Sequence, residues 1–168
     1  MGTLSLKKLT AADIMATDIV TIDPTDSLRD AMASMTENHV TGLPVLDRKG
    51  RCVGLISATD ILNYEQDHSE ETDGANADMA RYYNPETQRW ESVRVSSFAL
   101  EEFAEIPVSE LMTRDLIFVN PDTLISDVAE KIVDLDIHRV LVLDDDRRLL
   151  GVISAIDFAR LIAAPPPS

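Results

Sequence analysis

The chain has 168 residues, 45% of them hydrophobic, and carries 15 Lys and Arg against 30 Asp and Glu, a formal net charge of -15. That acidity argues against nucleic acid as a partner, because a phosphate backbone needs a positive surface. No apolar run approaches the ~20 residues a bilayer crossing needs, and the opening MGTLSLKKLTAADIM lacks the apolar core of a secretory signal, so no membrane association and a cytoplasmic location are expected.

In chain order, the first predicted element is a short strand, Ile19 to Ile22. Asp23-Pro24 stops it, since proline restricts both itself and its predecessor. A helix follows, for which Thr25 or Asp26 can serve as cap, with Leu28, Ala31, Met32 and Met35 on one face. Two strands come next, Pro44-Val45-Leu46 and Cys52 to Ile56. They are joined by the turn Asp47-Arg48-Lys49-Gly50, where Gly50 suits a left-handed backbone. A second helix begins near Ser57 or Thr59. Cys52 is the only cysteine and reads as a buried strand residue. It cannot close an internal disulfide, and three scattered histidines do not make a zinc cluster.

The stretch from about Tyr64 to Ile106 breaks this pattern. Glu65 to Gly74 is too polar to pack a core and reads as a mobile loop. Tyr82, Tyr83 and Trp90 follow, and Val93 and Val95 then alternate with Ser92 and Arg94 as in a short strand. Aromatic residues in a polar insert either anchor it to the body or form a contact surface. After the insert the first pattern returns: a strand Leu116 to Val119, a stop at Asn120-Pro121, and a helix with Val128, Ala129, Ile132 and Leu135 on one face. A strand Val140 to Leu143, a turn Asp144 to Arg147, a strand Leu149 to Ile153 and a helix from Ser154 or Ile156 complete it. The proline-rich end, Ala163 to Ser168, reads as a frayed tail.

A shift of 97 positions superimposes the two patterns without a gap. Met15 meets Met112, Pro24 meets Pro121, Asp30 meets Asp127, and Gly54, Ile56, Ser57, Ala58 and Asp60 meet Gly151, Ile153, Ser154, Ala155 and Asp157. The chain is therefore a duplicated β-α-β-β-α unit of α/β (α+β) class. One unit alone leaves an apolar sheet face uncovered, so two are expected to pack with pseudo-twofold symmetry.

Each copy resembles a CBS domain, and the tandem resembles a Bateman module. The resemblance covers roughly residues 9–63 and 106–162, with 64–105 as an insert and 163–168 as a tail. It is carried by Ile14-Met15, Asp23-Pro24, Leu43-Pro44-Val45-Leu46-Asp47 and Gly54 to Asp60. The second copy carries it in Leu111-Met112-Thr113, Asn120-Pro121, His138-Arg139-Val140-Leu141-Val142 and Gly151 to Asp157. The resemblance implies adenosine-containing ligands held in clefts between the copies. Asp60 and Asp157 would accept the ribose hydroxyls, with Ser57 and Ser154 beside ribose or phosphate. The adenine pockets implied are Ile19, Val20 and Thr21 with Thr41, Gly42, Leu43 and Pro44, and Leu116, Ile117 and Phe118 with His138, Arg139, Val140 and Leu141. A carboxylate can accept two bonds from a cis-diol, and a helix start favours phosphate. The same Ser-x-x-Asp is also an ordinary helix cap, which requires no ligand.

The copies differ where charge would matter. His138-Arg139 offers a cation to a phosphate, whereas the aligned Thr41-Gly42 offers none and His39 lies two places earlier. His138 equally suits a cap or the edge of the core. Asp144-Asp145-Asp146 reads as an exposed acidic turn rather than a magnesium site. No catalytic constellation stands out and no cofactor is required. The expected function is a regulatory sensor of AMP, ADP, ATP or an adenosyl compound, pairing as a homodimer and acting on an unknown effector protein in trans. The alternative is a structural or protein–protein interaction module with empty clefts.

Overall fold

A computed structural model of the chain describes residues 8–68, 77–84, 89–96 and 105–164, without side chains at 65–68, 77–84 and 90–96. Six helices run through these residues: α1 Ala11–Ile14, α2 Leu28–Asn38, α3 Ala58–His68, α4 Val108–Leu111, α5 Ile125–Asp134 and α6 Ala155–Ala163. The strands are β1 Gly42–Leu46, β2 Cys52–Ser57, β3 Ala77–Asn84, β4 Arg89–Ser96, β5 Phe118–Val119, β6 Arg139–Leu143 and β7 Leu149–Ser154. The mixture is α+β, as expected. The chain divides into two compact units: Val20–Lys49 with Val53–Asp115, and Met1–Ile19 with Gly50–Cys52 and Leu116–Ser168.

The first of these units is built on β1 and β2, with Ile22 adding a single parallel bridge to Val45. Its core gathers Leu28, Ala31 and Met35 from α2, Leu43 and Val45 from β1, Ile56 from β2 and Ile61 from α3. The predicted helix face is thus the buried one. In the other unit β5, β6 and β7 form one sheet, β5 parallel to β6 and β6 antiparallel to β7. Val128 and Ile132 of α5 pack there against Val140, Val142 and Ile153.

Each unit also takes in the lead-in segment of the opposite copy. Ala16 exchanges backbone bonds with Val152 at 2.9 and 3.0 Å, and Thr113 does the same with Leu55 at 2.8 and 2.9 Å. The amide of Ala11 donates to Thr123 O at 2.8 Å, and that of Val108 to Asp26 O at 2.7 Å. The pairing is reciprocal, position for position, at the 97-residue shift. It explains the repeated glycine. A Cβ on Gly54 would lie 2.8 Å from Met112 Cγ, and one on Gly151 would lie 2.6 Å from Met15 Cγ. Only glycine leaves room for the lead-in methionine.

The predicted strand Ile19 to Ile22 shrinks to its last residue, while its counterpart keeps Phe118–Val119. Leu141 N donates to Ile117 O at 3.4 Å. The aligned residue in the first copy is Pro44, which has no N–H to give. The helix cap is also corrected. Ser27, not Thr25 or Asp26, caps α2, donating from its amide and hydroxyl to Asp30 Oδ2 at 3.1 and 2.8 Å while Asp30 N donates back to Ser27 Oγ. Thr25 instead donates twice to Asp23 Oδ1, closing a turn. Leu135, expected on the core face, is 49% exposed, because α5 ends at Asp134 and Asp136 turns left-handed at φ 50°.

Gly50 takes the expected left-handed backbone at φ 77°, and the aligned Arg147 takes it at φ 64° with its guanidinium 5.3 Å from the Phe118 ring centre. That stacking offsets part of the cost of a left-handed non-glycine. In the insert, α3 extends through Glu65 to His68 in place of the start of the expected loop, and β3 and β4 pair antiparallel, Tyr83 opposite Trp90. Val93 and Val95 do lie in a strand. The remainder of the expected loop (69–74) and the side chains of Tyr82, Tyr83 and Trp90 lie outside the described residues, as does the tail from 165.

Candidate functional site

The start of α3 is fixed by three groups. Ser57 donates from its amide (2.9 Å) and hydroxyl (2.7 Å) to Asp60 Oδ2, and Asp60 N donates back to Ser57 Oγ at 3.1 Å. The first helical amide, Ala58 N, donates to Thr41 O at 2.9 Å. Gly42 lies against Ser57: a Cβ there would sit 3.9 Å from Ser57 Cα and Cβ and 3.4 Å from Ile56 O. Thr41, Gly42, Ser57 and Asp60, separated in sequence, therefore meet at one helix mouth.

The second copy repeats the arrangement. Ser154 donates from its amide (2.8 Å) and hydroxyl (2.9 Å) to Asp157 Oδ2, and Ala155 N donates to His138 O at 3.2 Å. Arg139 stands directly across the β6–β7 ladder from Ser154. Its exposed side chain is thus anchored beside the helix start, where Gly42 leaves the first copy bare.

The capping reading of Ser-x-x-Asp is borne out at both mouths. It does not exhaust the carboxylates. Capping uses only Oδ2, and in the first copy Asp60 Oδ1 has no partner among the described residues. One helix amide at each mouth is already taken by a carbonyl, so fewer amides are open to an anion than an uncapped helix would offer.

Other expected site residues have different places. Leu43 and Val140 are core residues, and Pro44 and Leu141 are buried with them, so these strand positions present little side chain to a ligand. Ile19 and Val20 are half-buried and Thr21 is exposed. Leu116, Ile117 and Phe118 line an open cleft of about 790 Å³ whose other wall is α5, with Asp127, Glu130 and Asp134. Lys131 reaches across it to donate to Phe118 O at 3.2 Å. The residues His138 to Leu141 do not line this cleft. Its acidic wall is a poor host for phosphate.

His39 caps α2 in a left-handed conformation, φ 55°. Asp144 Oδ1 accepts the amides of Asp146 and Arg148, both at 2.9 Å or less, which accounts for that carboxylate as a turn former. Among the described residues no group of His, Cys, Asp or Glu is arranged to hold a metal ion, and no helix is long and apolar enough to cross a membrane. Cys52 is buried and not in a disulfide.

Residues 11–67 and 108–164 each match the model of the CBS domain. The chain belongs to the CBS domain family, in which it carries two copies. It is 31% identical over 152 residues to an uncharacterised protein of Methanocaldococcus jannaschii, covering 86% of both chains. Some relatives are longer. The chain spans only 24% of a homoserine O-acetyltransferase from Methanohalobium evestigatum (29% identical) and 56% of the chloroplastic CBS domain-containing protein CBSX1 of Arabidopsis thaliana (26% identical). Among solved structures, CBSX2 in complex with AMP is similar at a TM-score of 0.66 and 24% identity, covering 92% of this chain and 96% of that one. The CBS domain pair of protein MJ0100, in complex with 5'-methylthioadenosine and S-adenosyl-L-methionine, is similar at 0.62 and 23% identity, covering 94% and 98%.

Proposed function

We propose that this chain is a non-catalytic regulatory module that binds adenine nucleotides or adenosyl compounds at its two α3 and α6 mouths. The observation that carries this reading is the carboxylate at each mouth. Asp60 and Asp157 are held in fixed orientation by a serine, yet capping leaves Oδ1 over, and on Asp60 that oxygen is open to a hydroxyl donor. Solved CBS pairs with AMP and with S-adenosyl-L-methionine support the ligand class. Arg139 makes the second mouth the one suited to a phosphate-bearing ligand, and Gly42 makes the first suited to a neutral adenosyl group. Ligand binding acts as a signal by favouring one state of the protein over another, which an effector protein then reads.

The test is calorimetric titration of the chain with AMP, ADP, ATP, NAD and S-adenosyl-L-methionine. Asp60→Asn and Asp157→Asn keep an acceptor for the cap but remove the charge, so each is expected to weaken its own site by about tenfold or more, given ~1.5–3 kcal/mol for a hydrogen bond to a charged group. Absence of binding at millimolar ligand defeats the reading.

A homodimer belongs to the same proposal. Val133 on α5 and Ile156 and Ile162 on α6 are 75%, 56% and 76% exposed. The aligned positions in the first copy are Thr36, Thr59 and Glu65. Large exposed aliphatic residues that, among the described residues, lie only in the second copy favour pairing through its helices.

A further inference from the structure

The outer oxygens of the two aligned carboxylates differ. Asp60 Oδ1 meets no partner among the described residues, whereas Asp157 Oδ1 accepts a bond from Arg160 Nη1 at 3.2 Å. The Arg160 side chain is 73% exposed and that of Asp157 12%. The position aligned with Arg160 is Asn63, which is exposed and uncharged. A carboxylate offers about four lone-pair sites, two on each oxygen. On both residues the serine amide and hydroxyl fill those of Oδ2. A ribose diol donates two hydroxyls. Asp60 can accept both on Oδ1 without losing its cap. Asp157 can accept one until Arg160 withdraws.

We propose that Arg160 is a specificity-determining residue of the second mouth, a latch that competes with a neutral diol and yields to an anionic one. The inference rests on the reading that Asp60 and Asp157 accept ribose hydroxyls. To seat both hydroxyls a neutral nucleoside must displace the guanidinium, which is then left without a counter-charge. A nucleotide brings a phosphate that matches the guanidinium fork, so the cation exchanges one anion for another. Arg160 is mostly solvent-exposed, so its grip on Asp157 is that of a surface pair. Its removal is expected to change affinity by about 1.5- to 5-fold rather than by orders of magnitude.

The experiment titrates the full chain carrying Asp60→Asn, which confines strong binding to the second mouth, with adenosine and with AMP. In that background Arg160→Gln is expected to tighten adenosine binding by about 1.5- to 5-fold and to lower the AMP-to-adenosine preference. Arg160→Lys, which keeps the charge, retains the preference. Conversely, Asn63→Arg in an Asp157→Asn chain should weaken adenosine at the first mouth. A preference that Arg160→Gln leaves unchanged, with binding intact, overturns the latch alone. Failure of the unsubstituted chain to bind either ligand overturns the ribose reading beneath it.

Discussion

Gly54 and Gly151 lack side chains because Met112 and Met15 occupy the space a Cβ would need. Gly151→Ala places a methyl carbon 2.8 Å from Met15 Cβ as well as 2.6 Å from its Cγ, so the whole side chain must move, not only its tip. Overpacking of this kind costs about 1–3 kcal/mol. The denaturant midpoint is expected to fall accordingly, and Met15→Ala in the same chain should recover part of the loss, giving a non-additive double-mutant cycle. The repeated Ser-x-x-Asp is fully legible as a cap, since both partners sit three apart on one helix start. Arg160 is not. It shares the helix face of Asp157 one turn on, and only the missing counterpart at Asn63 marks it in the sequence.

At the scale of the element, α2 shows how far local chemistry can be read. Its buried stripe follows from periodicity, but the sequence points to a cap at Thr25 or Asp26 because both are good cap residues close to a proline. The competing box Ser27-x-x-Asp30 prevails by tying three bonds at once. The shortened first strand is also within reach of the sequence, because Pro44 removes a donor that Leu141 retains. Hydrogen bonds from Ser27 hold the Asp30 carboxyl below its ordinary value of 3.8, and those from Thr25 do the same for Asp23. A carboxylate with a lowered folded pKa stabilises the fold above its unfolded pKa and loses that contribution as pH falls through the folded one. The contribution is therefore complete at neutral pH, starts to fall only in acid below about 3.8, and is lost as the pH drops through the lower folded value. An Asp30→Asn chain should be less stable than the parent at pH 7, and the difference should narrow in acid melts followed by circular dichroism.

For the whole molecule, the distribution of exposed aliphatic side chains sets the association expected. Val133→Asp with Ile162→Asp places charge on the second-copy helices, and sedimentation is expected to shift from dimer to monomer. Thr36→Asp on the aligned first-copy position should leave the mass unchanged. Duplication and fold class are plain from the 97-residue register. The crossing of the lead-in segments is not, because Ala16 and Thr113 head equivalent sequences. Local pattern is satisfied equally whichever copy each one joins, and only long-range pairing decides between them.

That crossing dictates an order of assembly during synthesis. Leu55 must wait for Thr113, and Ala16 for Val152, the latter 136 residues further along the chain. At ~5–20 residues per second, Ala16 remains without its partner for roughly 7 to 27 seconds of translation. During that interval the first lead-in stays available to the wrong strand, including the equivalent strand of a neighbouring chain on the same message. Slowing or pausing translation between the two copies should therefore raise the yield of chains entangled in pairs, a hazard that a protein with each copy closed on itself would not face.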